Sequence, residues 1–237
     1  MTEALYLVDS YLKKCRARVI SVTQGKYVVL DQTIFYPKGG GQPQDTGKIV
    51  KGSDVYKVDF VGKFSGNVSH EVDQSGLKEG DEVTCILDWD RRFKLMRSHT
   101  AAHVFASLLC TGTGALTTGN QLGLDRTRFD FSLENFDRSL LKQYIDEANS
   151  LFNQDIPVKS YELPRKEALK IPGIIKMAKA FPPNVSFLRV VEVVGVDIQA
   201  DGGTHVHNLR EVGRIHFIKA QNKGKHNRRV YFSLEEA

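Results

Sequence analysis

Two short clusters concentrate the chemistry of this chain: His99-Thr100-Ala101-Ala102-His103, and Asp201-Gly202-Gly203-Thr204-His205-Val206-His207. On a helix, His99 and His103 stand four residues apart and share one face, so both imidazoles can reach a single ion. Met96, His99, His103, Ala106 and Cys110 fall on one helical stripe, which turns the pair toward an interior of small or apolar groups. One inward histidine is ordinarily a core residue with a hydrogen-bond partner, whereas two on the same inward face are harder to satisfy without a metal. A zincin helix is disfavoured, because HExxH requires Glu where this chain has Thr100. In the second cluster the paired glycines permit a tight turn that brings Asp201 and His205 to one site. His99, His103 and His205, with Asp201 as a fourth donor, form a nitrogen and oxygen set suited to one zinc ion, with an open position if Asp201 stays unbound. His207 is a second candidate, since residues two apart in an extended segment face the same way.

A third unusual stretch is Phe35-Tyr36-Pro37-Lys38-Gly39-Gly40-Gly41-Gln42-Pro43-Gln44-Asp45-Thr46-Gly47. Three consecutive glycines do not serve a core; they fit where backbone must approach something closely, or the tip of a hairpin. It is not a Walker loop, because no Gly-Lys-Ser/Thr follows at the required spacing.

The elements that must position these residues change character along the chain. Up to Trp89 the texture is strand-like, with β-branched runs at 18–22 and 27–30 joined by a Gln24-Gly25 turn signal, and further strands at 55–61 and 82–87. This half reads as a small β-barrel or open sheet. At Asp90, a plausible N-cap, a helical period takes over and runs to about Cys110, so the domains are expected to be 1–89 and 90–237. Leu141, Tyr144, Ile145, Ala148, Leu151 and Phe152 predict a second amphipathic helix. Strands are expected at 127–131, 158–162, 187–192, 214–219 and 229–233, without regular βαβ spacing, so the class is α+β with a largely antiparallel sheet.

Composition excludes several classes. The 237 residues carry 33 Lys+Arg against 28 Asp+Glu, a net charge of +5, and are 41% hydrophobic, which fits a globular protein and argues against disorder. No apolar run is long enough to span a bilayer, and the N-terminus has no basic segment followed by an apolar one. A cytoplasmic protein is expected. Cys15, Cys85 and Cys110 are odd in number and far apart, which fits free thiols acting as small buried hydrophobes. The modest positive charge permits a polyanion partner without establishing one.

FYPKGGGQPQDTG, HTAAH, RTRFDF, YELPRKEA and DGGTHVHN follow one another in the order and rough spacing of the alanyl-tRNA editing proteins, so the chain resembles the free-standing AlaX family. The N-terminal barrel with its glycine motif is similar to the medium-length form, AlaX-M. The resemblance covers nearly the whole chain. It implies trans-editing: hydrolysis of the ester that joins a wrong amino acid, chiefly serine, to tRNA(Ala), at one zinc ion per chain held by His99, His103 and His205 with the fourth position at Asp201. Many members carry Cys at that fourth position. The resemblance places Thr33 near the amino-acid side chain, with Gln42 a second polar candidate. Gly39, Gly40, Gly41, Lys38, Arg97, Arg128 and Asp130 are expected to contact substrate or tRNA or to support those contacts. Basic clusters at Arg91, Arg92 and Lys94, and at Lys219, Lys223, Lys225, Arg228 and Arg229, are further candidates for the tRNA. The alternative is a zinc-stabilised RNA-binding module without catalysis.

Overall fold

The computed structural model describes residues 2–134, 137–174 and 185–235. The fold is mixed α+β with largely antiparallel sheets. Its contacts divide the chain into two units, Met1–Leu95 and Met96–Ala237, so the division falls inside a helix that starts at Trp89.

The first unit contains β1 (Glu3–Ala4), α1 (Leu5–Val8), β2 (Lys14–Thr23), β3 (Tyr27–Leu30), β4 (Gln32–Thr33), β5 (Gly47–Lys51), β6 (Asp54–Phe64), β7 (Asn67–Val72) and β8 (Glu82–Leu87). Six of these strands close a barrel in the order β2-β3-β7-β6-β5-β8. Alternation builds it: Val68, His70 and Val72 on β7 and Val83, Cys85 and Leu87 on β8 point inward, and their neighbours do not. Gln24 and Gly25 both adopt positive φ, at 53° and 70°, in a turn closed by the Lys26 N–H on the Thr23 carbonyl at 3.1 Å, the left-handed conformation that matches the twist of the flanking strands. The three cysteines are free thiols, Cys85 fully buried and Cys15 and Cys110 half-buried.

The glycine motif lies between β4 and β5. Gly39 and Gln42 exchange backbone hydrogen bonds of 3.1 and 2.8 Å across Gly40 and Gly41, whose φ angles are 57° and 89°. Two glycines therefore make a left-handed turn that a Cβ would strain. Its base is held by a buried ion pair: Arg92 is bonded to Asp45, and both side chains are fully enclosed. Asp45 also accepts the Tyr36 N–H at 2.6 Å, while Arg92 donates to the carbonyls of Ser10 and Ile34 at 2.9 and 2.6 Å. Every charged atom is matched, and removing either partner alone would leave an uncompensated buried charge costing about 3–5 kcal/mol.

Helix α2 (Trp89–Thr113) is followed by β9 (Thr117–Gln121), β10 (Thr127–Phe131), α3 (Arg138–Phe152), β11 (Val158–Pro164), α4 (Arg165–Ala168), β12 (Phe187–Val193), β13 (Asp197–Ala200), a 3-10 turn at Leu209–Glu211, β14 (Ile215–Asn222) and β15 (Arg228–Leu234). Asp90 stands in the first turn of α2 and is not its cap; Asp88 Oδ1 accepts the Arg91 N–H at 3.3 Å and does that work. Phe105 of α2 packs on Phe131 and Phe232 of the sheet β14-β15-β10-β9. Helix α3 buries the predicted stripe except Leu151, which is half-buried, and docks through Asn149, whose amide exchanges bonds of 2.9 and 2.8 Å with the backbone of Ile215. The second sheet, β11-β12-β13, leads directly into the Asp201 segment.

Candidate metal centre

The helical spacing of His99 and His103 and the turn at Gly202-Gly203 bring His99, His103, Asp201 and His205 together, with one potential ligand atom from each inside 4.8 Å of the others. All three histidines are at least nine-tenths buried. Asp201 Oδ1 lies 3.6 Å from His99 Nε2 and 3.9 Å from His103 Nε2, and Asp201 Oδ2 lies 3.2 Å from His205 Nε2. The Nε2 atoms therefore converge on the carboxylate. Ligands about 2.0–2.2 Å from a tetrahedral zinc are separated by roughly 3.3–3.6 Å, so the donor set fits that ion.

Burial depresses His99 well below 6.5 and His205 to about 4, so both rings present neutral lone pairs at neutral pH, the form a metal needs. Burial alone would raise Asp201, but the three surrounding imidazoles outweigh it and hold the carboxyl well below its usual range. The opposite edges of the rings are fixed by the protein. His103 Nδ1 lies 3.1 Å from Asp197 Oδ2, a carboxylate that also accepts Gln199 Nε2 at 2.8 Å, and that amide nitrogen is 2.7 Å from Nδ1. His205 Nδ1 is 3.1 Å from Thr100 Oγ1. Such partners orient ligand rings and raise their basicity.

The loop carrying Asp201 is pinned by Arg189 of β12, which donates to the carbonyls of Asp201 and Gly203 at 3.1 and 3.0 Å. The Gly203 N–H donates to Asp201 Oδ2 at 2.5 Å, and a Cβ at Gly203 would overlap the His99 ring. Gly203 is thus sterically required, whereas Gly202 meets nothing. His207 is exposed and stands outside the donor group.

The other expected site residues are not among these four donors. Thr33, Gln42 and the three glycines belong to the first unit. Thr33 is fully buried; its Oγ1 accepts the Phe35 N–H at 3.1 Å and lies 2.8 Å from His70 Nε2. His70 Nδ1 is 3.0 Å from the Val28 carbonyl, to which it must donate, so Nε2 is an acceptor and the Thr33 hydroxyl donates to it. Gln42 is 1% exposed, and Lys38 to Gly40 form the exposed tip. Arg97 is buried and donates to the carbonyls of Val212 and Glu235, and Arg92 is enclosed with Asp45, so neither guanidinium is presented at the surface. Asp130 is paired with Arg229 at 2.6 Å, and Arg128 stands half-buried on β10. Asp197, Gln199, Thr100, Arg189 and His70 escaped the sequence reading. Asp197, Gln199 and Asp201 alternate two by two, the one signal that could have found the first two.

Family profiles match two segments: one described as tRNA synthetases class II (A) over residues 6–91, and one described as threonyl and alanyl tRNA synthetase second additional domain over residues 188–231. The second covers Asp201 and His205, and neither reaches His99 or His103. The chain is 51% identical to alanyl-tRNA editing protein AlaX-M of Methanosarcina barkeri across 99% of both chains. It is 45% identical to the protein of that name in Saccharolobus solfataricus, across 99% of this chain and the whole of that one. An alanine–tRNA ligase of Pyrococcus abyssi is 38% identical, with the whole of this chain matching 26% of the ligase. Full-length identity at this level, together with a buried histidine and carboxylate set contributed by the HTAAH and DGGTH segments, shows that the chain belongs to the AlaX-M family of alanyl-tRNA editing proteins.

Proposed function

We propose that the chain is a zinc-dependent trans-editing deacylase that hydrolyses the ester of tRNA(Ala) mischarged with serine, in the cytoplasm. The observation that carries the reading is the converged donor set of His99, His103, His205 and Asp201 in a member of the editing family. Hydrolysis of an ester consumes only water, so no ATP is needed. When bound, zinc supplies Lewis acidity, polarising an ester or easing the ionisation of water. The chain's own residues set the rest: His99 and His205 are kept neutral by burial, Asp197 and Thr100 orient rings, and Arg189 holds the Asp201 loop.

Thr33 gives the serine preference a physical form. Its proton goes to His70 and one lone pair takes the Phe35 N–H, so the remaining lone pair can only accept. A serine hydroxyl donates to it; alanine leaves it unmatched, and a site built this way discriminates by up to about 10⁴-fold. Gln42 is the second polar group assigned to the amino acid, and Lys38 with Gly39, Gly40 and Gly41 to the tRNA end.

Asp201 completes four protein donors, which favours a second reading, a structural zinc in a non-catalytic RNA-binding module. Deacylation of Ser-tRNA(Ala) decides between them. The wild type is expected to release serine, and His103→Ala to lose at least about 10³-fold in kcat/KM together with its zinc. No hydrolysis by the zinc-loaded wild type selects the structural module, and equal rates in the two proteins remove the metal from the reaction.

A further inference from the structure

The sheet β14-β15-β10-β9 has two unlike faces. Phe129, Phe131, Val230 and Phe232 are buried on one, and Phe131 and Phe232 meet Phe105 of α2 there. On the other, register places one residue from each strand in a single row: Gln121 opposite Arg128, Arg128 opposite Tyr231, and Tyr231 opposite Lys219. The last pairing depends on an irregularity in β14. Phe217 is opposite Phe232, and the register then shifts so that Lys219, and not Ile218, faces Tyr231. A bulge of this kind re-aims a side chain, here placing a cation where regular pairing would put an isoleucine.

The row is ordered before any ligand arrives. Arg126 and Lys219 lie over the Tyr231 ring, 5.3 and 5.2 Å from its centroid. Arg128 Nε is buried without a hydrogen-bond partner among the described residues. Arg126, Arg128 and Tyr231 line a hollow of about 520 Å³ that has Asp125 as its acid. The next row is neutral, because Arg229 is paired with Asp130, and beyond it the exposed Lys223 and Lys225 extend the positive strip along the turn into β15, beside Glu134 and His226. Cations held over an aromatic ring lose little side-chain freedom on binding, and a row of them spaced across strands suits a polymer of regularly spaced negative charge.

We propose that Arg126, Arg128, Lys219 and Tyr231 form the surface that grips the phosphodiester backbone of tRNA, the cations pairing with phosphates and Tyr231 positioning them. The proposal rests on tRNA being the substrate. The test is binding of an uncharged tRNA(Ala) transcript to the zinc-loaded full chain over a salt series. The double variant Arg128→Gln/Lys219→Gln is expected to raise Kd at least about tenfold and to flatten the plot of log K against log salt by roughly 1.5. A double variant of equal charge change outside this sheet, Lys142→Gln/Lys170→Gln, is expected to stay within about twofold. Arg126→Gln changes an exposed side chain outside any strand, so it tests the surface without threatening the fold, with an expected loss of roughly threefold or more. Tyr231→Leu should weaken binding and Tyr231→Phe restore it, because the ring and not the hydroxyl orders the cations. Kd and salt slope equal to those of the Lys142/Lys170 control would overturn the surface, and Tyr231→Leu binding as well as Tyr231→Phe would overturn the positioning role. Hydrolysis is measured apart from binding: a row that governs tRNA affinity in a protein that releases no serine sinks the deacylase reading and leaves the surface standing.

Discussion

Two regions of this molecule treat buried histidine in opposite ways. In the barrel, His70 is fully enclosed and burial pushes it down to about 4; both its nitrogens are then used up by the Val28 carbonyl and the Thr33 hydroxyl. In the second unit, burial also holds His99 and His205 low, but their Nε2 atoms face a carboxylate and one another. Burial alone makes a neutral imidazole in both places. Whether that imidazole props a neighbour or offers a lone pair to an ion is decided by what stands opposite each nitrogen.

The comparison can be broken at several points, beginning with the largest effect, the loss of zinc and activity in His103→Ala. Next is Gly203→Ala, whose methyl group must displace the His99 ring. Overpacking of about 1–3 kcal/mol at this position predicts zinc affinity lower by up to roughly 100-fold, read by chelator competition, with the barrel's unfolding unchanged. Retained affinity would show that the loop yields easily and that Gly203 is not a steric requirement.

His70 makes a pH prediction of opposite kind. Its folded value near 4 lies below the ordinary 6.5, so the unfolded chain takes up a proton that the folded barrel refuses. Its contribution to stability is complete above about pH 6.5, declines as pH falls, and is exhausted near pH 4, a loss of order 3 kcal/mol. Urea unfolding of metal-free wild type and His70→Gln at pH 7.5 and 4.5 measures it, and the variant should show the smaller pH dependence. Parallel pH profiles would mean that His70 is not held neutral by its surroundings.

Asp197→Asn keeps the shape beside His103 while removing the charge, and is expected to lower zinc affinity about 10- to 100-fold without unfolding the protein. The smallest effect falls on Thr33→Val. It leaves His70 Nε2 unmatched, at a cost of about 1–3 kcal/mol to the barrel, and should reduce the preference for Ser-tRNA(Ala) over Ala-tRNA(Ala) about tenfold. Discrimination at the wild-type level would transfer the reading of serine to Gln42 or to backbone groups.

Much of the fold was legible because it is built from local periodicity. The strands at 82–87 and 127–131 agree with the observed elements residue for residue, and the stripe from Leu141 to Phe152, Leu151 apart, is the buried face of α3. The strand Thr117–Gln121 was not legible, since Thr-Thr-Gly-Asn-Gln has no apolar alternation; it forms at the sheet edge because β10 supplies its partner. The glycine run was read as a close approach or a hairpin tip, and a left-handed turn at Gly40 and Gly41 is what stands there. Arg92 and Arg97 read as candidate contacts to the tRNA beside Arg91 and Lys94, because nothing local to them reveals Asp45, or the carbonyls of Val212 and Glu235, far away in the chain.

The sequence by itself determined that His99 and His103 share a helix face, that Asp201 and His205 can turn toward one site, and that the motifs occur in the order of an editing protein. These are properties of spacing, and spacing along a helix or around a glycine turn is settled by backbone geometry. Only the tertiary structure decided that the four donors meet, that His205 and not His207 faces inward, that Asp197 and Thr100 stand behind the rings, and that a bulge sets Lys219 opposite Tyr231. All but the last depend on residues scores of positions apart brought side by side by core packing, and the last on strand register, neither of which a local pattern encodes.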